Sequence, residues 1–216
     1  MSQTGYQSDL LSFSTSDEKD VLASLQAYLP DAGKSQIVAW KNSIVILKNL
    51  VSKILAEDPG LIDTCSILFE YTIPLESRRI DALLLLKGVV LVVEFKGKLY
   101  PSLADIDQAA AYARDLRAYH KACAHVPVRC ILVPTQRADV CEKLGDVDVV
   151  GSEHLANYVK EIQKFESVAP KPQDFEWIDC YQPLPSLIKA ARELFNSGSL
   201  TRIHRAATAT EPTLQK

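Results

Sequence analysis

The sequence predicts an α/β fold: a mixed central sheet flanked by helices, with a core in the order helix, three strands, helix, strand. Three observations predict it. Arg78 to Lys98, RRIDALLLLKGVVLVVEFKGK, reads as two apolar strands joined by a tight turn. An Ala-rich stretch with helical periodicity, Leu103 to about Ala122, follows almost at once. Val128 to Pro134, VRCILVP, is then a buried strand, and a strand that follows a helix fits a parallel crossover onto the hairpin.

The remaining elements follow in order. Met1 to about Ser16 is polar and reads as a mobile lead-in. Ser16 or Asp17 caps a helix that runs through Tyr28 and is ended by Pro30. Ile44, Leu47, Val51, Ile54 and Leu55 recur at helical spacing, which predicts a second helix from about Lys41 to Ala56. Asp58-Pro59-Gly60 then breaks the chain. Ser66 to Pro74 reads as a strand, with Ile67, Phe69, Tyr71 and Ile73 on one face and Leu68, Glu70 and Thr72 on the other. In the Ala-rich helix, Ile106, Ala110, Ala113 and Leu116 face the sheet. Asp146 to Val150 predicts a further short strand and Ser152 to Phe165 a helix. Val168 to Asp174 reads as a linker, Trp177 to Pro185 as extended chain and Ser186 to Phe195 as a short helix; the end from Ala206, rich in Ala and Thr, reads as disordered.

At 216 residues the chain is long enough for one well-buried domain with or without a tail. Its composition, 47% hydrophobic and 24% charged, is that of an ordinary globular protein. The formal net charge of −3 supplies no basic surface of the kind that advertises nucleic-acid binding. MSQTGYQSDLLSF lacks a basic n-region and an apolar h-region, so no secretory signal is expected, and the longest apolar run is shorter than the roughly 20 residues a membrane span needs. The five cysteines are odd in number and widely spaced, which fits reduced thiols rather than a disulfide framework. The expectation is a cytoplasmic protein with no membrane partner.

The chemistry concentrates at the open end of the hairpin. With Lys87-Gly88 as a two-residue loop, Leu86 faces Val89, Leu85 faces Val90, Ala82 faces Val93 and Asp81 faces Glu94. Side chains alternate along a strand, so Glu94 and Lys96 share a face while Phe95 points to the other. Carboxylates directly opposite on neighbouring strands lie about 5 Å apart at Cβ and repel each other. A divalent cation such as Mg²⁺ between their oxygens would relieve that repulsion. Lys96 is then placed to orient or activate a water on the same face.

Asp81 followed by an apolar hairpin and Glu94-Phe95-Lys96 resembles the core motif of the PD-(D/E)xK nucleases, the restriction-endonuclease-like fold. Gln108 and Tyr112 match that superfamily's frequent Gln-x-x-x-Tyr signature, while Ile80 stands where many members carry Pro. The resemblance implies phosphodiester hydrolysis of nucleic acid, DNA before RNA, with Mg²⁺ or Mn²⁺ as cofactor. Asp81, Glu94, the Phe95 carbonyl and Glu70 would be the ligands, and Lys96, Gln108 and Tyr112 would complete the catalytic group. A second resemblance covers Tyr181 to Ala207, which is similar to the segment before the ATPase motor of bacterial Schlafen-group-3-like helicase proteins. It implies a domain that works beside a helicase motor in cis or trans, in defence against foreign (phage) DNA. No G-x-x-x-x-G-K-[ST] occurs in the chain. The organisation so implied is 1–40 lead-in and helix, 41–165 nuclease-like domain, and 166–216 linker and C-terminal segment.

Blander readings stand beside these. Asp81, Glu94 and Lys96 are also compatible with charges that solvate a sheet edge, and Gln108 and Tyr112 with an ordinary amphipathic helix. Glu70, better placed than Glu57 as a further acid, could instead pair with Arg78 or Arg79 across the sheet. Arg78, Arg79, Lys98, Arg114 and Arg117 are candidate phosphate contacts, Arg79 first among them because it faces Lys96. His120, Cys123, His125 and Cys130 fit no standard zinc spacing. The alternative function is a module that binds nucleic acid or a partner without cutting.

Overall fold

The computed structural model describes residues 2–61, 64–164 and 166–182. Its elements in chain order are β1 (Tyr6–Asp9), α1 (Leu10–Thr15), α2 (Glu18–Tyr28), α3 (Lys34–Glu57), β2 (Ser66–Thr72), β3 (Arg79–Leu86), β4 (Val89–Lys96), α4 (Leu103–Tyr119), β5 (Val128–Pro134), β6 (Cys141–Leu144), β7 (Val147–Val150) and α5 (Leu155–Ile162). Among the described residues the strands form a seven-stranded sheet in the order β1-β2-β3-β4-β5-β7-β6. The sheet is mixed. β4 pairs with β5 and β5 with β7 in parallel, and the other neighbours run antiparallel.

The β3–β4 hairpin lies at the centre of this sheet, with the expected register: Leu86 opposite Val89 and Ala82 opposite Val93. Gly88 takes a φ of 72° in the turn, where a side chain is strained, and an added Cβ would also meet the Cβ of Lys164 at 2.8 Å. The hairpin is apolar on both faces because the sheet is covered on both. One core joins β2–β4 to α1, α2, α3 and α5 through Phe13, Leu25, Leu47, Phe69, Leu84 and Leu91. The other joins the sheet to α4 through Leu83, Val92, Tyr112, Leu116 and Leu132.

Helix α4 starts where the chain demands it. Ser102 caps the first turn, its hydroxyl accepting from the Asp105 amide while the Asp105 carboxylate accepts from the Ser102 amide. Helix α3 is longer than expected and begins at Lys34, seven residues ahead of Lys41, so that Gln36 and Trp40 lie in its first two turns.

Other expectations are corrected. Residues 2–16 are not a mobile lead-in: β1 adds an antiparallel strand to β2, and Leu10 and Phe13 of α1 are fully buried. The polar YQSD sequence hides this strand because a short edge strand needs few apolar side chains. Strand β6 is also unforeseen, since its CEKL sequence is mostly exposed. Helix α5 is shorter than Ser152 to Phe165. The stretch read as a linker is anchored instead, with Ala169 buried and Phe175, in a short helical turn at Pro172–Phe175, packed into the α4-side core. Extended chain from Trp177 is interrupted by a turn at Ile178–Cys180 before Tyr181 bridges to His120. The expected helix at Ser186 to Phe195, the tail from Ala206 and most of Tyr181 to Ala207 lie outside the described residues.

Strand β2 departs from simple alternation. Ile67 and Phe69 face the α3 side, yet Tyr71 and Ile73 join the α4-side core with Leu68. The reversal falls at Glu70, whose φ of 50° is a left-handed conformation rare in non-glycine residues. Across the ladder β3 reverses at the same level, Ile80 lying in the α4-side core and Ala82 in the α3-side core. The flanking pairs are Phe69 with Ala82 and Tyr71 with Ile80, so Glu70 and Asp81 oppose each other at the point of reversal.

If the N-terminal elements are part of the core, Phe13→Ala lowers unfolding free energy by about 3–5 kcal/mol, as for other buried aromatic truncations. Urea denaturation checks this; a change under about 0.5 kcal/mol is what a surface position gives.

Candidate functional site

Three acids lie at one level of three adjacent strands: Glu70 on β2, Asp81 on β3 and Glu94 on β4. The β3–β4 ladder stops at Ala82 and Val93, just short of Asp81 and Glu94. Side chains take over from the missing ladder bonds. The Phe95 amide donates to Asp81 Oδ2 at 2.8 Å, and the Asp81 amide donates to Glu94 Oε1 at 3.2 Å. Each carboxylate is therefore fixed by the other residue's strand, and the structure places them side by side as the register requires.

Glu94 is 1% exposed and Asp81 is half-buried at the mouth. Burial is the largest influence on both and pushes both carboxyls above the ordinary range. For Glu94 the neighbouring Asp81 charge adds to it; for Asp81 the Phe95 amide opposes the rise and the Glu70 charge reinforces it. One proton therefore stays on the pair at pH values where free carboxylates have lost theirs.

Lys96 shares the Glu94 face. Its ammonium lies 3.5 Å from Glu94 Oε2 and donates to Gln108 Oε1 at 3.1 Å. The Gln108 amide in turn donates to the Tyr112 hydroxyl at 2.8 Å. One helical turn separates Gln108 from Tyr112, so α4 presents both from one side, and Tyr112 is anchored in the core. The Arg78 guanidinium lies 5.6 Å from the centre of the Tyr112 ring and is itself held by Glu76 and by Asp115 at 2.6 Å.

Glu70 turns towards α3. Its Oε1 accepts from Trp40 Nε1 at 2.7 Å and from Gln36 Nε2 at 3.2 Å, and its Oε2 accepts from Arg79 Nε at 2.8 Å. The pairing with Arg79 is the blander of the two readings its position allowed, and both carboxylate oxygens are engaged. The left-handed backbone at Glu70 is what aims it there. Conformations of this kind cost about 1–3 kcal/mol and persist only where surrounding contacts hold them.

A cavity of about 190 Å³ opens between α3 and the sheet, lined by Gln36, Trp40, Ser43, Glu70, Asp81 and Lys96. The sequence reading missed Gln36 and Trp40. Their spacing of four puts them on one helix face, but both lie ahead of Lys41, where the apolar periodicity begins.

The remaining cations are distributed unevenly. Arg79 borders the acids, and Lys98 is tied to Asp105 at 2.6 Å. Arg117 donates to the Val128 carbonyl at the start of β5, whereas Lys96 pairs with Pro134 at its end, so Arg117 is far along the strand from the site. Arg114 is exposed beside Asp115. His120 is fully buried against Phe175, with ring centres 4.2 Å apart, and burial pushes it down to about 4. Cys123 is likewise buried, its thiol pushed up to about 12.

Among the described residues no three His, Cys, Asp or Glu side chains converge as a metal cage. The donor set at the hairpin is instead the buried Glu94 and half-buried Asp81 carboxylates and the adjoining main chain. That set fits Mg²⁺ or Mn²⁺, since Mg²⁺ is commonly held by one or two carboxylates with substrate phosphates and waters filling the other positions. Among the described residues no helix is long and apolar enough to cross a membrane. Comparison with protein-family models, with curated proteins and with solved structures finds no match.

The raised carboxyls set the sign of a pH dependence. Asp81 and Glu94 hold protons in the folded state that the unfolded chain releases near about 3.9 and 4.3. Their contribution to stability is full below those values and is lost as pH rises through the raised ones. Metal-free protein therefore loses melting temperature as pH climbs from about 5 to 8. Glu94→Gln removes the repulsion and raises stability at the alkaline end on the order of 2 kcal/mol. Melting curves with EDTA check both; a variant less stable than wild type at pH 8 contradicts the assignment.

Proposed function

We propose that this protein is a divalent-metal-dependent nuclease that hydrolyses phosphodiester bonds, in DNA before RNA, with a site of the PD-(D/E)xK type. The single observation that carries the proposal is the Asp81–Glu94 pair, Glu94 buried and Asp81 half-buried, with Lys96 beside it. The reciprocal amide bonds bring both carboxylates to one point at the end of an apolar hairpin, where charge would otherwise be expelled. The mixed sheet with helices on both faces, and α4 directly after Lys96, also supports the restriction-endonuclease-like fold.

Asp81 and Glu94 would hold the cation, with the Phe95 carbonyl as a further oxygen. A bound cation would offset charge on the phosphate and make the attacking water more acidic. Lys96 lies between Glu94 and Gln108 and can donate to the attacking water or to the phosphate oxygen on which negative charge builds up. Gln108, held by Tyr112, keeps the ammonium from collapsing onto Glu94. Glu70, engaged by Trp40, Gln36 and Arg79, adds negative charge beside Asp81 and sets the Arg79 guanidinium at the rim, where a phosphate could meet it.

A second reading is favoured by the net charge of −3 and by the ion pairs that occupy Lys98, Arg78 and Arg79. On it, the domain grips nucleic acid or a partner, such as a helicase motor, without cutting.

The two readings separate in one assay. Single- and double-stranded DNA and RNA are incubated with Mg²⁺, Mn²⁺ or EDTA, using wild type, Asp81→Ala and Lys96→Ala. The nuclease reading expects cleavage that needs metal, is lost in Asp81→Ala and falls about 10²–10³-fold in Lys96→Ala. Binding that ignores EDTA and both substitutions, with no cleavage of any substrate, supports the binding module instead.

A further inference from the structure

The loop that leaves the site carries apolar surface that the fold does not use. Between Gly97 and Leu103 three large side chains face solvent: Leu99 at 51% exposure, Tyr100 at 68% and Leu103 at 81%. They follow Lys96 by three to seven positions. The loop is nevertheless tied down at both ends. The Thr135 amide donates to the Lys96 carbonyl at 2.9 Å and the Gln136 side chain to the Gly97 carbonyl at 2.9 Å, so the end of β5 holds its start. Ser102, capping α4, and Lys98, bonded to Asp105, hold its other end. Apolar side chains kept in water on a fixed loop gain nothing for folding, and such patches mark binding surfaces.

Arg137 supplies the second observation. Its guanidinium lies 5.2 Å from the centre of the Tyr100 ring. It is steadied there by Asp139 at 3.5 Å and Glu142 at 3.9 Å, which leaves little net positive charge for a duplex backbone to exploit. A planar cation paired with an aromatic ring that stays largely exposed is the arrangement on which unpaired bases stack. Bases paired inside a duplex present no free face to such a surface.

We infer that Tyr100, backed by Arg137 and on the same loop as the exposed Leu99 and Leu103, is a stacking platform for an unpaired nucleobase beside the phosphate to be cut. The preferred substrate is then a single strand, or a strand frayed from its duplex. This rests on the nuclease reading for the neighbouring site. The occupant is a base because Tyr100 follows Lys96 by four positions on a loop tied at its start to the end of β5, and because its polar groups are a guanidinium and a phenol rather than a row of cations.

The test measures binding without turnover. Fluorescence anisotropy with EDTA present compares a single-stranded oligonucleotide, carrying one 2-aminopurine, with the blunt duplex of the same sequence. The expected result is tighter binding of the single strand and quenching of 2-aminopurine on binding. Tyr100→Ala should weaken single-strand binding about 5- to 100-fold, the range seen when a stacked aromatic is removed, and Tyr100→Phe should retain it. Equal affinity for both forms, or an unchanged affinity in Tyr100→Ala, overturns the platform, including the case where the patch serves a protein partner. A cleavage assay with Mn²⁺ run in parallel keeps the two ideas apart: cutting without any effect of Tyr100→Ala sinks the platform alone. Neither cutting nor binding of any nucleic acid sinks both.

Discussion

Two carboxyl groups held side by side at the end of an apolar hairpin are the constraint on which the other features of this structure depend. With both ionised, carboxylates about 5 Å apart at an effective dielectric near 20 repel by about 3 kcal/mol, before any cost of burial. The chain accepts that cost at one place, where β3 and β4 stop exchanging ladder bonds and exchange amide-to-carboxylate bonds instead. If either carboxylate turned to solvent it would give up the bond from a part-buried amide, Phe95 N–H for Asp81 and Asp81 N–H for Glu94. The hydrogen bonds that fix the pair are thus also what keeps it from relaxing.

The surrounding elements divide the work of tolerating this charge. Helix α4 packs one face of the sheet through small residues such as Ala109 and Ala113, which lets Gln108 come close enough to bond Lys96. Helix α3 covers the other face, and its Trp40 and Gln36 hold Glu70 on that side, where it lines the same cavity as Asp81. The unusual backbone at Glu70 makes that possible, since regular alternation would have sent Glu70 to the α4 side. The left-handed backbone and the Trp40, Gln36 and Arg79 contacts thus occur at one residue, so the third carboxylate is engaged by partners of its own.

Much of this was legible in the sequence because it rests on period and register. A central hairpin with a Lys-Gly turn has one pairing that buries all its Leu and Val side chains, and that pairing puts Asp81 beside Glu94. Helix spacing likewise joins Gln108 to Tyr112. What period cannot show is where it fails. Glu70 reads as an ordinary alternating residue until its left-handed φ is seen, and the faces of Tyr71 and Ile73 follow from it. Nor does polarity identify edge strands: YQSD and CEKL have too little to bury to stand out, though both complete the sheet. The contact of Trp40 with Glu70 joins positions 30 residues apart, beyond the reach of local pattern.

The central claim, that Asp81 and Glu94 together hold a divalent cation, is tested most directly by calorimetric titration of Mn²⁺ into the protein. The titration is run at one pH near neutrality in two buffers of different ionisation enthalpy. A pair that retains a proton must release it on binding, so the observed heat should differ between buffers in proportion to the protons set free, and the binding heat should vanish in Asp81→Ala. Heat that is absent in wild type, or that survives Asp81→Ala unchanged, contradicts the account.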